Sequence, residues 1–369
     1  MNILISPDKF KNSLTAYQVC DAIERGLSRV MPDAKVTKLP LADGGEGTLD
    51  ILEKELGADR IEVEVSDPLF RPVKAAYLLK GDKAYIEMAS ASGLPLLKNF
   101  ERSASNTSTY GTGELIAHAV EHGAKTIDVM IGGSATNDGG CGMAEALGVR
   151  FYATNGNELK AIRGRDLAKI ERIDQSALKK YKDIRFTILS DVQNSLTGPN
   201  GASHVFAKQK GATPQEIEML DQGLSHLASI VNNGKEEHPG TGAAGGLGYG
   251  LISFLNARLC SGIEQVFHIL DYDKVLKDVD LIITGEGKLD GQTLGGKVIS
   301  GVVGKAKTYN IPIGIICGIT ENLAIVREHL AVDQILQVRE KASGIQDSMQ
   351  NAAQYVEELA AEMLQSFIK

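Results

Sequence analysis

Cysteine is scarce in this chain: four residues in 369, Cys20, Cys141, Cys260 and Cys317, far apart and with no CxxC pair. That spacing excludes a disulfide framework and a cysteine-built zinc site, and predicts buried reduced thiols in a cytoplasmic protein. Positive charge is in deficit, with 39 Lys and Arg against 47 Asp and Glu and a formal net charge of −8. Binding to a phosphate backbone needs concentrated Lys and Arg, so no nucleic-acid partner is expected. Long apolar runs are missing, since no segment approaches the roughly 20 residues of a membrane span. The opening MNILISPDKFKNS has neither a basic stretch nor a long apolar one, and reads as a first core strand rather than a leader. There is no internal repeat or low-complexity tract; the least structured segment is Asn232 to Pro239, NNGKEEHP, read as an exposed loop.

What is present is a hydrophobic fraction of 43%, enough for two cores, and a length beyond that at which a single core stops growing. Glycine is concentrated in turns. Val129 to Gly148, VMIGGSATNDGGCGMAEALG, runs from an apolar strand through glycines and small polar residues into an apolar helix. Glycine lets a backbone approach a ligand, and the first N–H groups of a helix favour phosphate oxygens, so this stretch reads as an anion seat. LPLADGGEGT at Leu39 to Thr48, ILSDVQN at Ile188 to Asn194 and LIITGEGKLDGQ at Leu281 to Gln292 each run from apolar residues into a carboxylate. Phosphate seats beside carboxylates suggest a metal–nucleotide enzyme, because Mg²⁺ bridges carboxylates to phosphates.

The periodicity predicts strand Asn2 to Ser6, helix Ala16 to Val30, a strand from Val36 to Leu41 and helix Thr48 to Leu56. Then the pattern changes: Ile61 to Val65, Val73 to Leu79 and Ala84 to Met88 follow one another as antiparallel strands do. Helix Thr112 to His122, strands Thr126 to Ile131 and Phe186 to Leu189, helix Pro214 to Asn232 and a glycine-rich helix start near Gly242 come next. Strands Leu281 to Thr284, Ile313 to Cys317 and Gln334 to Gln337 and helix Ser348 to Phe367 close the chain. The expected fold is α/β with two domains: a doubly wound parallel sheet formed by residues 1–60 plus 270–369, interrupted by an inserted mixed α/β domain at 61–269. Ligands in such sheets lie beyond the carboxyl ends of the strands, where the motif carboxylates fall.

Three short patterns mislead. GQTLGGKV at Gly291 to Val298 matches a P-loop but puts Val298 where a hydroxyl must reach Mg²⁺. GTGAAG at Gly240 to Gly245 matches GxGxxG but follows a polar loop instead of a strand, which removes the dinucleotide context. His118, Glu121 and His122 spell HxxEH, yet Leu115, Ile116, Ala119 and Val120 form the buried stripe of that helix and leave the three toward water.

Taken together, the motifs resemble the type 1 glycerate kinase family. The likeness is carried by SPDKFKNSL (Ser6 to Leu14), LADGGEGT (Leu41 to Thr48), IEMASASGL (Ile86 to Leu94), TSTYGTGELI (Thr107 to Ile116) and IGGSATNDGGCGMAEALG (Ile131 to Gly148). LSDVQNSLTGPNGA (Leu189 to Ala202), GTGAAGGLGYGL (Gly240 to Leu251) and ITGEGKLDGQT (Ile283 to Thr293) extend it over nearly the whole chain. The resemblance implies an ATP- and Mg²⁺-dependent kinase of D-glycerate, yielding 2-phospho-D-glycerate in organic-acid catabolism. It also implies a flavodoxin-like domain joined to a restriction-endonuclease-like one, with the site in the cleft between them. The expected partners are small molecules only, D-glycerate and ATP, with neither nucleic acid nor membrane, and the expected assembly is a monomer or homodimer. The other reading is a noncatalytic sugar-acid or nucleotide-binding protein using the same cleft. The chain departs from the family pattern where Asn194, Ser195 and Leu196 stand for a common Asn-Pro-Leu, where Ala207 and Lys208 replace a Gly-Pro, and at Ile299 in place of a common Pro, changes of loop stiffness near Asp191, Gln209, Lys210 and Lys297.

Such a kinase must activate a hydroxyl, hold a carboxylate and neutralise a transferring phosphoryl group. Asp191 is the first candidate for the base, with capping of the following turn as its alternative role. Lys9 and Lys11 are candidate catalytic cations, and Asp8 stands beside them. Asp43, Glu46, Glu286 and Asp290 are candidate Mg²⁺ ligands, Glu46 serving equally well as a helix cap. Gly132, Gly133, Ser134, Thr136, Asn137, Lys288 and Lys297 are candidate phosphate or substrate contacts. Arg71 is a candidate carboxylate clamp or a surface residue.

Overall fold

A computed structural model describes the chain apart from residues 46, 233, 235–237, 290–297, 322 and 331, and apart from the side chain of residue 325. The chain divides into two compact units, Met1–Asp43 with Ile263–Lys369, and Gly44–Gly262.

The first unit is built on a five-stranded sheet ordered Gln334–Gln337, Ile313–Thr320, Leu281–Leu289, Asn2–Ile5, Lys35–Lys38. Every pairing in it is parallel. Both faces of a parallel sheet are covered at its centre, which is why strands Asn2–Ile5, Leu281–Leu289 and Ile313–Thr320 contain buried apolar runs while the edge strand Lys35–Lys38 is mostly exposed. Leu4 joins one core, while Ile3 and Ile5 point to the other with Val19, Ile23, Leu27, Val356 and Met363. Helix Ala16–Val30 starts at a capping box in which Gln18 N donates to Thr15 Oγ1 and Thr15 N to Gln18 Oε1. It packs on helix Ala352–Phe367 so closely that a Cβ on Gly26 would lie 2.1 Å from the Glu357 carbonyl oxygen. The single helix expected from Ser348 is instead two, Ile345–Gln350 and Ala352–Phe367. They break at Asn351, which has φ −107° and ψ 18° and caps both, ending the first helix and starting the second. The second strand is shorter than expected, Lys35–Lys38. Beyond it, hydrogen bonds from Leu39 N to Ile5 O and from Leu41 N to Pro7 O carry the chain toward Asp43.

The second unit holds a six-stranded mixed sheet ordered Arg258–Cys260, Arg185–Leu189, Thr126–Met130, Lys83–Glu87, Pro72–Lys80, Asp59–Ser66. The first four strands are mutually parallel and the last three form an antiparallel meander. A smaller antiparallel sheet, Glu158–Leu159, Arg150–Tyr152, Arg172–Asp174, lies in the same unit. One apolar cluster runs through it, from Tyr77 and Ile86 to Leu247 and Phe254. Helix Thr48–Leu56 belongs to this unit because Thr48 N and Leu49 N donate to Glu87 Oε1, at the end of strand Lys83–Glu87. The glycine-rich segment Ala243–Leu255 becomes a regular helix only after Gly246: Ala244, Gly245 and Gly246 have φ of 55°, 66° and 86°. GTGAAG therefore opens no helix of the dinucleotide-binding kind. Among the described residues no helix is long and apolar enough to cross a membrane.

Candidate functional site

In the second unit, three turns converge at the carboxyl ends of the parallel strands. Gly44 (φ +81°) sits where a Cβ would lie 3.1 Å from Leu189 Cβ, and a Cβ on Gly132 would lie 3.0 Å from Gly45 Cα. Between strands Arg185–Leu189 and Arg258–Cys260, Asp191 Oδ1 accepts from Ser261 Oγ at 2.7 Å and from Gly262 N at 3.0 Å. Asp191 is half-buried, so its carboxylate is fixed in direction by one strand's turn while belonging to the loop of another.

The glycine turn divides in two. Gly132 and Gly133 are accessible, whereas Ser134, Thr136 and Asn137 are buried. Deeper in the turn, the amides read from sequence as an anion seat already have an anion. Asp138, fully buried, accepts from Gly140 N, Gly142 N, Thr109 N and Thr109 Oγ1 at 2.8 to 3.1 Å. Gly139 N donates to Gly245 O at 3.1 Å, and a Cβ on Gly245 would lie 2.0 Å from Thr136 O. These glycines serve the contact of two backbone segments. Burial raises the pKa of Asp138 and its four donors oppose that rise.

Beneath the turn lies Lys210, 2% exposed. Its Nζ donates to Ser134 Oγ at 2.7 Å and to Thr136 O at 2.8 Å. Burial lowers its pKa to about 7, with Asp138 pulling the other way. Asn137 Nδ2 donates to Ser203 Oγ at 3.0 Å. Nothing in local sequence pattern marks Asp138, Lys210 or Glu87 for these roles; the one available signal is that Asp138 is the only charged residue in GGSATNDGG.

In the first unit, Asp8, Asp43 and Glu286 gather at the carboxyl ends of strands Asn2–Ile5 and Leu281–Leu289. Asp8 N donates to Gly285 O at 2.8 Å, and Lys9 N donates to Asp8 Oδ1 at 2.6 Å. The Asp8 carboxyl is raised to about 7, chiefly by burial, then by the neighbouring charge of Asp43 and, more weakly, of Glu286; the Lys9 bond and charge act against this. Glu286 is 8% exposed. A Cβ on Gly287 would lie 3.1 Å from Lys11 N, so glycine lets the Asp8–Lys11 loop lie on the strand. Lys11 itself is exposed.

Other candidates are otherwise engaged. Lys288 pairs with Glu321 at 2.5 Å. Arg71 donates from Nε to Asp67 and from Nη1 to Glu101, each at 2.6 Å, so its fork already holds two of the protein's own carboxylates. Glu46, Asp290 and Lys297, with most of the P-loop-like GQTLGGKV, lie outside the described residues. His118 Nδ1 is 3.0 Å from Tyr77 Oη and its ring stacks on that of His122, with Glu121 and His122 exposed. Among the described residues no group of three or more His, Cys, Asp or Glu is arranged to hold a metal ion.

Parallel α/β sheets with glycine turns and acids at their carboxyl ends are the framework of ligand-binding α/β enzymes. The sequence comparisons narrow the class. The profile of the glycerate kinase family matches residues 3–368, and the chain belongs to that family. It is 42% identical to a Bacillus subtilis (strain 168) protein named glycerate kinase, over 99% of this chain and 97% of that one. It is equally 42% identical to an Escherichia coli (strain K12) protein named glycerate 2-kinase, over 95% and 94%. A crystal structure assigned as glycerate kinase 2 from Salmonella typhimurium LT2 matches with a TM-score of 0.85 and 42% identity, covering 100% of this chain and 98% of that one.

Proposed function

We propose that this protein transfers the γ-phosphoryl group of ATP to a hydroxyl of D-glycerate, giving 2-phospho-D-glycerate and ADP for organic-acid catabolism. The observation that carries the reading is Asp191, half-buried at a strand's carboxyl end and held by Ser261 and Gly262, in a chain whose relatives are named for this activity. A carboxylate held in this way is suited to accept the alcohol proton as the oxygen attacks phosphorus. Gly132 and Gly133 supply accessible backbone beside it, and Lys210 sets the direction of the Ser134 hydroxyl by donating to its oxygen. Lys9 and Lys11 are read as the cations that meet phosphate or the glycerate carboxylate.

Asp43 and Glu286, with Asp8 between them in charge, would hold Mg²⁺. Mg²⁺ needs only one or two carboxylates besides substrate phosphates, and an acid raised to about 7 by burial and two acidic neighbours is an environment that a divalent cation relieves. When bound, the ion would neutralise charge on the phosphates. The strand order 2-1-3-4-5 of the first unit, counted along the chain, supports a flavodoxin-like domain; the mixed sheet of the second is read as the restriction-endonuclease-like one. An ADP-coupled assay with ATP, Mg²⁺ and D-glycerate, run with and without EDTA, tests the proposal. Turnover abolished by EDTA is the expected result, and folded protein that forms no ADP refutes it.

A further inference from the structure

The second unit carries a cavity at the end of its sheet opposite to Asp191. Its volume is about 760 Å³, and it opens at the amino ends of strands Thr126–Met130, Arg185–Leu189 and Arg258–Cys260. With about 3.3 Å per residue, the length of a five-residue strand puts it about 13 Å from the carboxyl-end turns.

Two features of its lining go together. Lys182, Arg185 and Arg258 line it, and among the described residues no acidic one does, in a chain whose net charge is −8. Arg185 Nη2 reaches Thr126 Oγ1 at 3.3 Å across the two strand starts, while Arg258 lies on the neighbouring edge strand, beside Thr187 in register. The wall between these cations is apolar, including Leu178 and Phe254. Tyr181, 4% exposed, also lines the cavity. A basic rim and an apolar wall describe one kind of guest.

We propose that this cavity binds a small phosphate monoester with a compact apolar body. The cationic rim takes the phosphate and the wall takes the body. The inference does not depend on the phosphotransfer reading, since the two sites lie at opposite ends of the strands and binding is measured without turnover.

Phenyl phosphate is the probe, titrated into the full chain and followed by hydrogen–deuterium exchange with mass spectrometry. Protection is expected in residues 178–187 and 254–258. Inorganic phosphate, which lacks the apolar body, should bind at least tenfold more weakly. Arg185→Gln combined with Arg258→Gln should abolish protection while circular dichroism stays that of the parent. No protection at millimolar phenyl phosphate overturns the proposal, as does protection confined to other segments. Equal binding of inorganic phosphate likewise overturns it.

Discussion

Replacing Asp138 by alanine tests whether the deep part of the glycine turn is held by the protein's own anion. The side chain is fully buried and takes Gly140 N, Gly142 N, Thr109 N and the Thr109 hydroxyl. The hydroxyl can rotate toward another acceptor, so three amides are left without one. At about 1–3 kcal/mol for each buried orphan, with partial relaxation, the loss is roughly 3–6 kcal/mol, a large part of the roughly 5–15 kcal/mol that holds a domain folded. With a urea m-value of about 2–3 kcal/mol/M, the midpoint falls by roughly 1–3 M. The chain has no tryptophan, so the transition is followed by far-UV circular dichroism. Formate should restore part of the loss, because the alanine leaves room for a carboxylate and an anion bound only to the native state stabilises it by mass action. Glycerol at equal concentration, uncharged, should not substitute for it. A midpoint equal to the parent's would show that Asp138 does not serve these donors, and loss without formate rescue would show that packing, not anion binding, is what it supplies.

Asp191→Asn should lower kcat by roughly 10² to 10⁴ with a small change in KM for D-glycerate; near-parental turnover in the ADP-coupled assay removes Asp191 from the role of base. Lys210 is held down to about 7 by burial, against about 10.4 in an unfolded chain. Between these values the unfolded state binds more protons, so this residue makes stability rise with pH from about 7 to 10. Lys210→Met should flatten that rise in urea midpoints measured across the range, and an unchanged slope contradicts the assignment. Gly26→Ala places a methyl 2.1 Å from a backbone oxygen of the facing helix and should cost about 1–3 kcal/mol by overpacking, seen as a lower melting temperature; a neutral result would mean the two helices separate without penalty.

The sheet frameworks were legible because burial on both faces writes apolar runs into parallel strands, and a meander writes closely spaced ones. Helix Ala16–Val30 was visible to the residue, since Val19, Ile23, Leu27 and Val30 repeat at helical spacing. The purpose of each glycine was not legible. Gly139 and Gly245 look in sequence like ligand-facing glycines, but they let two backbone segments meet, a long-range fact without local trace. Lys210 lies 76 positions from the serine it contacts, and no periodicity announces a buried lysine. Arg71 shows both cases: its pairing with Asp67, four residues away, could have been anticipated, and its bond to Glu101 could not.

The strand Asn2–Ile5 is held between Lys35–Lys38 and Leu281–Leu289. On the ribosome one neighbour arrives almost at once, while the other is some 280 residues later, roughly 15–60 s at ordinary elongation rates of about 5–20 residues per second. For that interval the nascent protein carries an open sheet edge on Asn2–Ile5 while the whole of Gly44–Gly262 is being made. Completion of this strand's pairing waits for Leu281–Leu289, so translation products truncated before Leu281 should be insoluble through their first unit even where the second has already folded.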